Sequence, residues 1–177
     1  MSLLRKIARK IFLKKRNFPR WIIERKIFPH IKSKKILIVG VAPYTSEYYR
    51  ILKTNDITSI DINPYIKEFG AKKHIIGDIS RMKLDEKFDF IFMIGILNYG
   101  LDYNEDAERA LKNCHDLLNK EGVLILTWSP KIENHNKINP RRLKNFKLFQ
   151  TVEWFGLGSG NNMGGAVFEF LMRKSFN

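Results

Sequence analysis

The chain has 177 residues, room for one domain with a single core and a short appendage, and its 44% hydrophobic and 12% aromatic content excludes a disordered chain. The longest apolar stretch, Phe90 to Leu97 with a glycine inside it, is far too short to span a bilayer, and a lone cysteine, Cys114, excludes an intramolecular disulfide. The net charge of +14 sits at the front: residues 1–35 hold thirteen Lys or Arg against one acid, and residues 36–177 hold nineteen against seventeen.

Taken in order, Leu3, Leu4, Ile7, Ala8, Ile11 and Phe12 recur at the three- and four-residue spacing of one helical face. Arg5, Lys6, Arg9, Lys10, Lys14 and Lys15 fill the rest of that surface, which predicts a basic amphipathic helix. It should end at Asn17 to Pro19, because proline disfavours helix at the residue before it. Pro19 to Pro29, with Trp21, Ile22, Ile23, Ile27 and Phe28, reads as a second short helix, and residues 1–34 together form an N-terminal arm. The start has no long apolar core of a secretory signal, so a cytoplasmic location is expected.

From Lys35 the period changes. Ile36-Leu37-Ile38-Val39 is a short β-branched run stopped by Gly40, which suits a buried parallel strand. Further strands are predicted at Ile57 to Ile62, His74 to Ile76, Phe88 to Ile94 and Gly122 to Trp128, with helical segments between several of them, notably Asp102 to Leu118. In that segment Cys114 shares a stripe with Ala107, Ala110, Leu111, Leu117 and Leu118, which makes it a buried structural thiol. The last stretch has two strands, Phe146 to Phe155 and Ala166 to Arg173, with a glycine-rich loop and no helix between them, as in an antiparallel hairpin. Residues 35–177 are therefore an α/β domain: a Rossmann-like open sheet, mostly parallel with an antiparallel terminal hairpin, and helices on both faces.

Open α/β sheets bind ligands beyond the carboxyl ends of their strands. The first strand ends in Gly40-Val41-Ala42-Pro43-Tyr44-Thr45 and the second in Asp61, twenty-one residues after Gly40, where an acid can accept both ribose hydroxyls of a nucleoside. The third ends in Gly77-Asp78, the fourth runs Phe88-Asp89-Phe90-Ile91 to Gly95-Ile96-Leu97-Asn98-Tyr99, and the fifth follows the turn Leu117-Leu118-Asn119-Lys120-Glu121-Gly122. Read singly, Asp61 or Asp78 is as well explained by capping a turn; their joint position at strand ends favours binding.

This succession resembles the class I S-adenosylmethionine-dependent methyltransferase family over about residues 35–173. The resemblance implies S-adenosyl-L-methionine as cofactor, with Gly40, Val41 and Ala42 against its methionine and sugar and Asp61 on the ribose with Ile62 beside it. It further implies that Asp78 and the Ile79 amide meet the adenine edge and that Gly95 and Ile96 border the cofactor. The family's acid two residues before the first glycine is Ile38 here, and its next two loop glycines correspond to Ala42 and Tyr44. Tyr44 adds bulk where the backbone usually approaches closely, and Tyr44, Tyr48 and Tyr49 are candidates to cover the cofactor or reach the acceptor. Asn98 and Tyr99 after the fourth strand, and Trp128 and Ser129 after the fifth, are the candidate acceptor contacts, with ordinary loop packing as the alternative. The stretch around His135 is a candidate mobile loop over the site, or a plain surface loop.

Other chemistries lack their residues. Only the first glycine of G-x-G-x-x-G is present, no Gly-Lys-Ser/Thr phosphate loop exists, and His30, His74, His115 and His135 are scattered without zinc spacing. The expected activity is methyl transfer to a small-molecule, glycan or lipid-linked acceptor. The alternatives are a binding or scaffold protein that has lost cofactor affinity, and an RNA-binding methyltransferase. Residues 1–16 could lie on an anionic membrane, pack on the domain, or neutralise phosphates of nucleic acid; the continuous apolar stripe favours the membrane, since nucleic acid does not require it.

Overall fold

The computed structural model describes Arg20, residues 22–97, Leu101, residues 104–128, Lys144, and residues 146–148, 162–163 and 166–173. The basic helix expected before Asn17, together with Asn98, Tyr99, Ser129 and His135, lies outside the described residues.

Among the described residues eight strands form one sheet: β1 (Lys35–Val39), β2 (Asp56–Asp61), β3 (Lys73–Ile76), β4 (Phe88–Met93), β5 (Leu118–Trp128), β6 (Phe146–Leu148), β7 (Asn162–Met163) and β8 (Ala166–Arg173). Their order is β3-β2-β1-β4-β5-β8-β6, with β7 paired to β8. β1 to β5 are mutually parallel, and β8 runs antiparallel to both β5 and β6. The terminal antiparallel pair is thus present, with β8 slotted between β5 and β6. The order reverses between β1 and β4, and open sheets of this kind bind ligands at the carboxyl ends of the strands on either side of such a point.

Covered faces explain the continuous apolar runs of the parallel strands. Leu37 and Val39 of β1 point to one face and join Ile91, Met93, Leu124 and Leu126. There they meet helix α2 (Asn104–Leu117) through Ala107, Ala110, Leu111, Cys114 and Leu117. The alternate residues Ile36 and Ile38 join Phe92 and Ile125 on the other face, against Tyr48 and Leu52 from helix α1 (Thr45–Ile51) and the turn after it. Helices therefore lie on both faces. Each fully buried aliphatic or aromatic side chain contributes about 1.5–3 kcal/mol.

The second face is completed by residues assigned above to the arm. Ile22 is helical, Ile23–Ile27 form one π turn and Phe28–His30 one 3-10 turn. Ile22, Ile23, Ile27, Phe28 and Ile31 are all buried among the β1, β4, β5 and α1 side chains. The Phe28 ring meets Tyr48 and Phe92 edge-on, with centroids 5.0 and 5.1 Å away. Ile22 to Ile31 thus pack on the same sheet as the residues from 35 onward. The charges of Arg25, Lys26, Lys32 and Lys34 hid this, because they ride on the exposed side of an apolar segment.

The turn before β5 is fixed by one acid. Asp89 Oδ2 accepts the Lys35 amide (2.9 Å) and its Oδ1 accepts Asn119 Nδ2 (2.8 Å). This joins the amino-terminal ends of β1, β4 and β5. The register between β4 and β5 slips between Phe88 and Phe90: Phe88 pairs with Leu118 and Phe90 with Val123, so residues 119–122 form a bulge before the regular ladder resumes.

Candidate functional site

The first loop is built by Thr45. Its hydroxyl donates to the Ala42 carbonyl (2.7 Å) and accepts the Ala42 amide (3.3 Å), while its own amide donates to the same carbonyl (2.8 Å). The Thr45 side chain is buried and also lies 2.7 Å from the Phe69 carbonyl. Gly40 takes φ +81°, in the left-handed region that glycine tolerates best. The chain so folded presents Gly40, Val41 and Ala42 at the carboxyl end of β1.

Asp61 ties the second strand to that loop. Its Oδ2 accepts the Val41 amide (2.8 Å) and its Oδ1 the Asn63 amide (2.8 Å). Each carboxylate oxygen has a second lone pair, so the group stays competent to accept two ligand hydroxyls. Around it three apolar side chains face solvent: Ile62 at 68%, Tyr65 at 90% and Ile76 at 49% exposure. Tyr65, in the 3-10 turn Pro64–Phe69 capped by Asn63, and Ile76 were not singled out from the sequence. Their signal is tertiary, because only the folded sheet places them beside Asp61.

Asp78 is used differently. Its Oδ1 accepts the Ser80 amide (2.8 Å) and its Oδ2 lies 3.5 Å from Arg81 Nε, so the carboxylate holds its own turn, as the capping alternative has it. The Ile79 side chain is buried and its carbonyl accepts Asn113 Nδ2 (2.8 Å). Its amide makes no hydrogen bond among the described residues and stays available as a donor.

Two residues beyond β4 stands Gly95, φ +69°, whose amide donates to Thr127 Oγ1 of β5 (2.8 Å). Ile96 then turns back over the first loop: a Cβ built on Gly40 would stand 2.2 Å from Ile96 Cδ1. The structure thus brings together Gly40, Val41, Ala42, Asp61, Ile62, Ile79, Gly95 and Ile96 at the ends of β1 to β4. A Cβ on Gly95 would meet nothing within 4 Å. Gly95→Ala should therefore cost only backbone strain, about 1 kcal/mol, and Gly40→Ala about 2 kcal/mol or more, because Ile96 must also move. Urea unfolding of the two variants beside the parent checks this order; equal losses would mean that Ile96 yields freely.

The three tyrosines part company. Tyr48 is 1% exposed and belongs to the core on the α1 face, so it neither covers a cofactor nor reaches an acceptor. Burial pushes its pKa well above the usual tyrosine value, with Arg20 opposing. Tyr49, raised likewise by burial, lines a cleft with Lys53, Asp56 and Ile57 at the amino-terminal end of β2, away from Asp61. Tyr44 alone stays at the first loop, its ring 5.8 Å from Tyr48 and beneath Arg20, whose Cζ lies 3.5 Å from the ring centroid. At the end of β5, Trp128 is 7% exposed and its indole Nε1 has no partner among the described residues. No group of three His, Cys, Asp or Glu among the described residues could hold a metal.

These residues fit a nucleoside-bearing cofactor such as S-adenosyl-L-methionine. A carboxylate with spare lone pairs suits the ribose, a free backbone donor at Ile79 suits the adenine edge, and exposed apolar side chains suit a ring face.

A family model described as a methyltransferase domain matches residues 39–126, about half of the chain. No curated protein sequence matches. Among solved structures, the chain is similar to the N-methyltransferase NodS of Bradyrhizobium japonicum, at 14% identity and TM-score 0.67, covering 90% of this chain and 96% of that one. A second structure of NodS, in complex with S-adenosyl-L-homocysteine, matches at 15% identity and TM-score 0.66, covering 90% and 87%. A TehB-like SAM-dependent methyltransferase from Corynebacterium glutamicum matches at 17% identity and TM-score 0.67, covering 96% and 100%. At these identities the structural likeness is one of fold.

Proposed function

We propose, for a chain that belongs to the class I S-adenosylmethionine-dependent methyltransferases, that the methyl group goes to a small-molecule, glycan or lipid-linked acceptor received at the ends of β4 and β5. The cofactor is S-adenosyl-L-methionine. When bound it supplies a sulfonium methyl with a good leaving group behind it, so positioning can carry much of the acceleration.

In this reading Asp61 holds the ribose hydroxyls with the lone pairs left over from Val41 and Asn63. Ile62 and Tyr65 cover the ring, the Ile79 amide reaches its edge with Asp78 shaping that turn, and Gly40 to Ala42 leave room for the sugar and methionine. Gly95 and Ile96 close the other side. Trp128 contacts the acceptor together with Asn98, Tyr99 and Ser129. The observation that carries the acceptor position is the buried Trp128 indole N–H, without a partner among the described residues, a donor that a polar acceptor would satisfy.

The first 16 residues supply the address. Their apolar stripe and cationic face suit the interface of an anionic membrane, where each basic residue near the surface contributes about 1 kcal/mol. Arg20, four residues beyond that segment, has its guanidinium over the ring of Tyr44. No helix among the described residues is long and apolar enough to cross a membrane. Full-length protein should cosediment with anionic vesicles and not with neutral ones, while protein lacking residues 1–16 should stay in solution yet melt at the same temperature.

The reaction itself is tested with methyl-labelled S-adenosylmethionine and a cell extract. Label entering the lipid-extractable or small-molecule fraction supports the reading, and label confined to RNA would replace it with an RNA methyltransferase.

A further inference from the structure

We infer that Arg20 is a positioning residue for the cofactor loop, acting by clamping the Tyr44 ring clear of the Gly40–Ala42 backbone. The inference rests on the placement of the cofactor at that loop given above.

Tyr44 is the residue before helix α1, with φ −80° and ψ −16°, and its side chain makes no capping hydrogen bond. The backbone on both sides of it is fixed, by Thr45 on Ala42 and by the Glu47 amide on the Tyr44 carbonyl (3.2 Å). Its ring is not fixed in this way. Two side-chain torsions decide whether it lies against the α1 face or over the loop.

Two side chains and a buried cluster hold it on the α1 face. The Arg20 guanidinium lies over the ring at 3.5 Å, Tyr48 meets it at 5.8 Å and 57°, and the ring packs against the buried cluster that contains Ile22 and Phe28. A cation over a tyrosine face is attracted by the ring quadrupole. Glu24 is close enough for Arg20 to act on its carboxyl, but burial dominates there and raises the Glu24 pKa. The Arg20 guanidinium is shared between the Tyr44 face and the Tyr48 hydroxyl, on which it also acts.

A bulky side chain stands where the chain must leave its backbone open to a ligand. The clamp explains how that is tolerated. Without Arg20 the ring gains the freedom to swing over Gly40 to Ala42 and compete with the cofactor for that space. The effect is then on binding, and it exists only while residue 44 has a ring.

The test is a double-mutant cycle read by calorimetric titration of full-length protein with S-adenosylhomocysteine. Arg20→Ala should weaken affinity roughly fivefold, the size expected of a partly exposed cation–π contact. In a Tyr44→Gly background the same change should have no effect, and Arg20→Lys, which keeps a cation, should retain most of the parent affinity. Thermal melting without ligand should move little in each variant; if Arg20→Ala does not fold, Arg20→Gln takes its place in the cycle. An unchanged affinity, or an equal loss in both backgrounds, overturns the inference. Asp61→Ala run alongside separates the two readings: if it binds like the parent, the site assignment fails, whatever Arg20 does.

Discussion

Asp61→Ala is expected to weaken S-adenosylhomocysteine binding by about 100-fold while leaving the protein folded. Two hydroxyl donors to one carboxylate are charge-assisted bonds, each contributing about 1.5–3 kcal/mol, and a 100-fold loss corresponds to roughly 2.7 kcal/mol. The same residue accepts the Val41 and Asn63 amides, so its removal also loosens the first loop and the turn after β2. Asp78→Ala should do less to affinity, because the adenine edge is met by the Ile79 amide in this reading and the loss of Asp78 is felt through the turn that it holds with Ser80 and Arg81. Calorimetric titration of the three proteins decides the matter, with NAD as a control that none should bind. A change below about threefold for Asp61→Ala would remove it from the site.

Phe28→Ala should cost about 3–5 kcal/mol of stability, the largest loss expected from a single change in this chain. Phe28 is 1% exposed, and its ring fills the space between Tyr48 of α1 and Phe92 of β4. At about 2–4 °C per kcal/mol for a domain of this size, the melting temperature should fall by roughly 10 °C. Lys26→Ala, two residues earlier on the exposed side, should leave it unchanged. If both variants melt like the parent, residues 22–31 are an appendage and not part of the core.

The strands were legible because buried parallel strands are short apolar runs, and Ile36 to Val39 and Phe90 to Met93 fit no other role at that length. The ends of those strands, with Gly40, Asp61 and Gly95, followed from them. Residues 22–31 were obscured, since one side of an apolar segment carries lysines and arginines and reads as continuous with the basic arm before it. Tyr48 was misplaced although its partners announce it: Thr45, Tyr48 and Leu52 share one helical face, and all three are buried. Thr45 and Thr127, which hold the two loops, could not be found from the sequence, because a hydroxyl is useful only to a backbone group that folding brings near. Asp89 shows the converse case, an acid in a motif that resembles the family's and whose two oxygens serve only to join strands.

Cys114 gives the molecule a built-in clock. It is the sole thiol, lies wholly inside the α2 face of the core, and burial pushes its pKa up to about 12. A thiol-specific dye therefore reacts only while α2 lifts from the sheet, and at a rate proportional to the population of that opening. The pace of labelling measures the free energy of a local excursion in the unmodified protein, with no probe engineered in. Because α2 begins just beyond the end of β4, a bound cofactor that tightens that end would slow the clock.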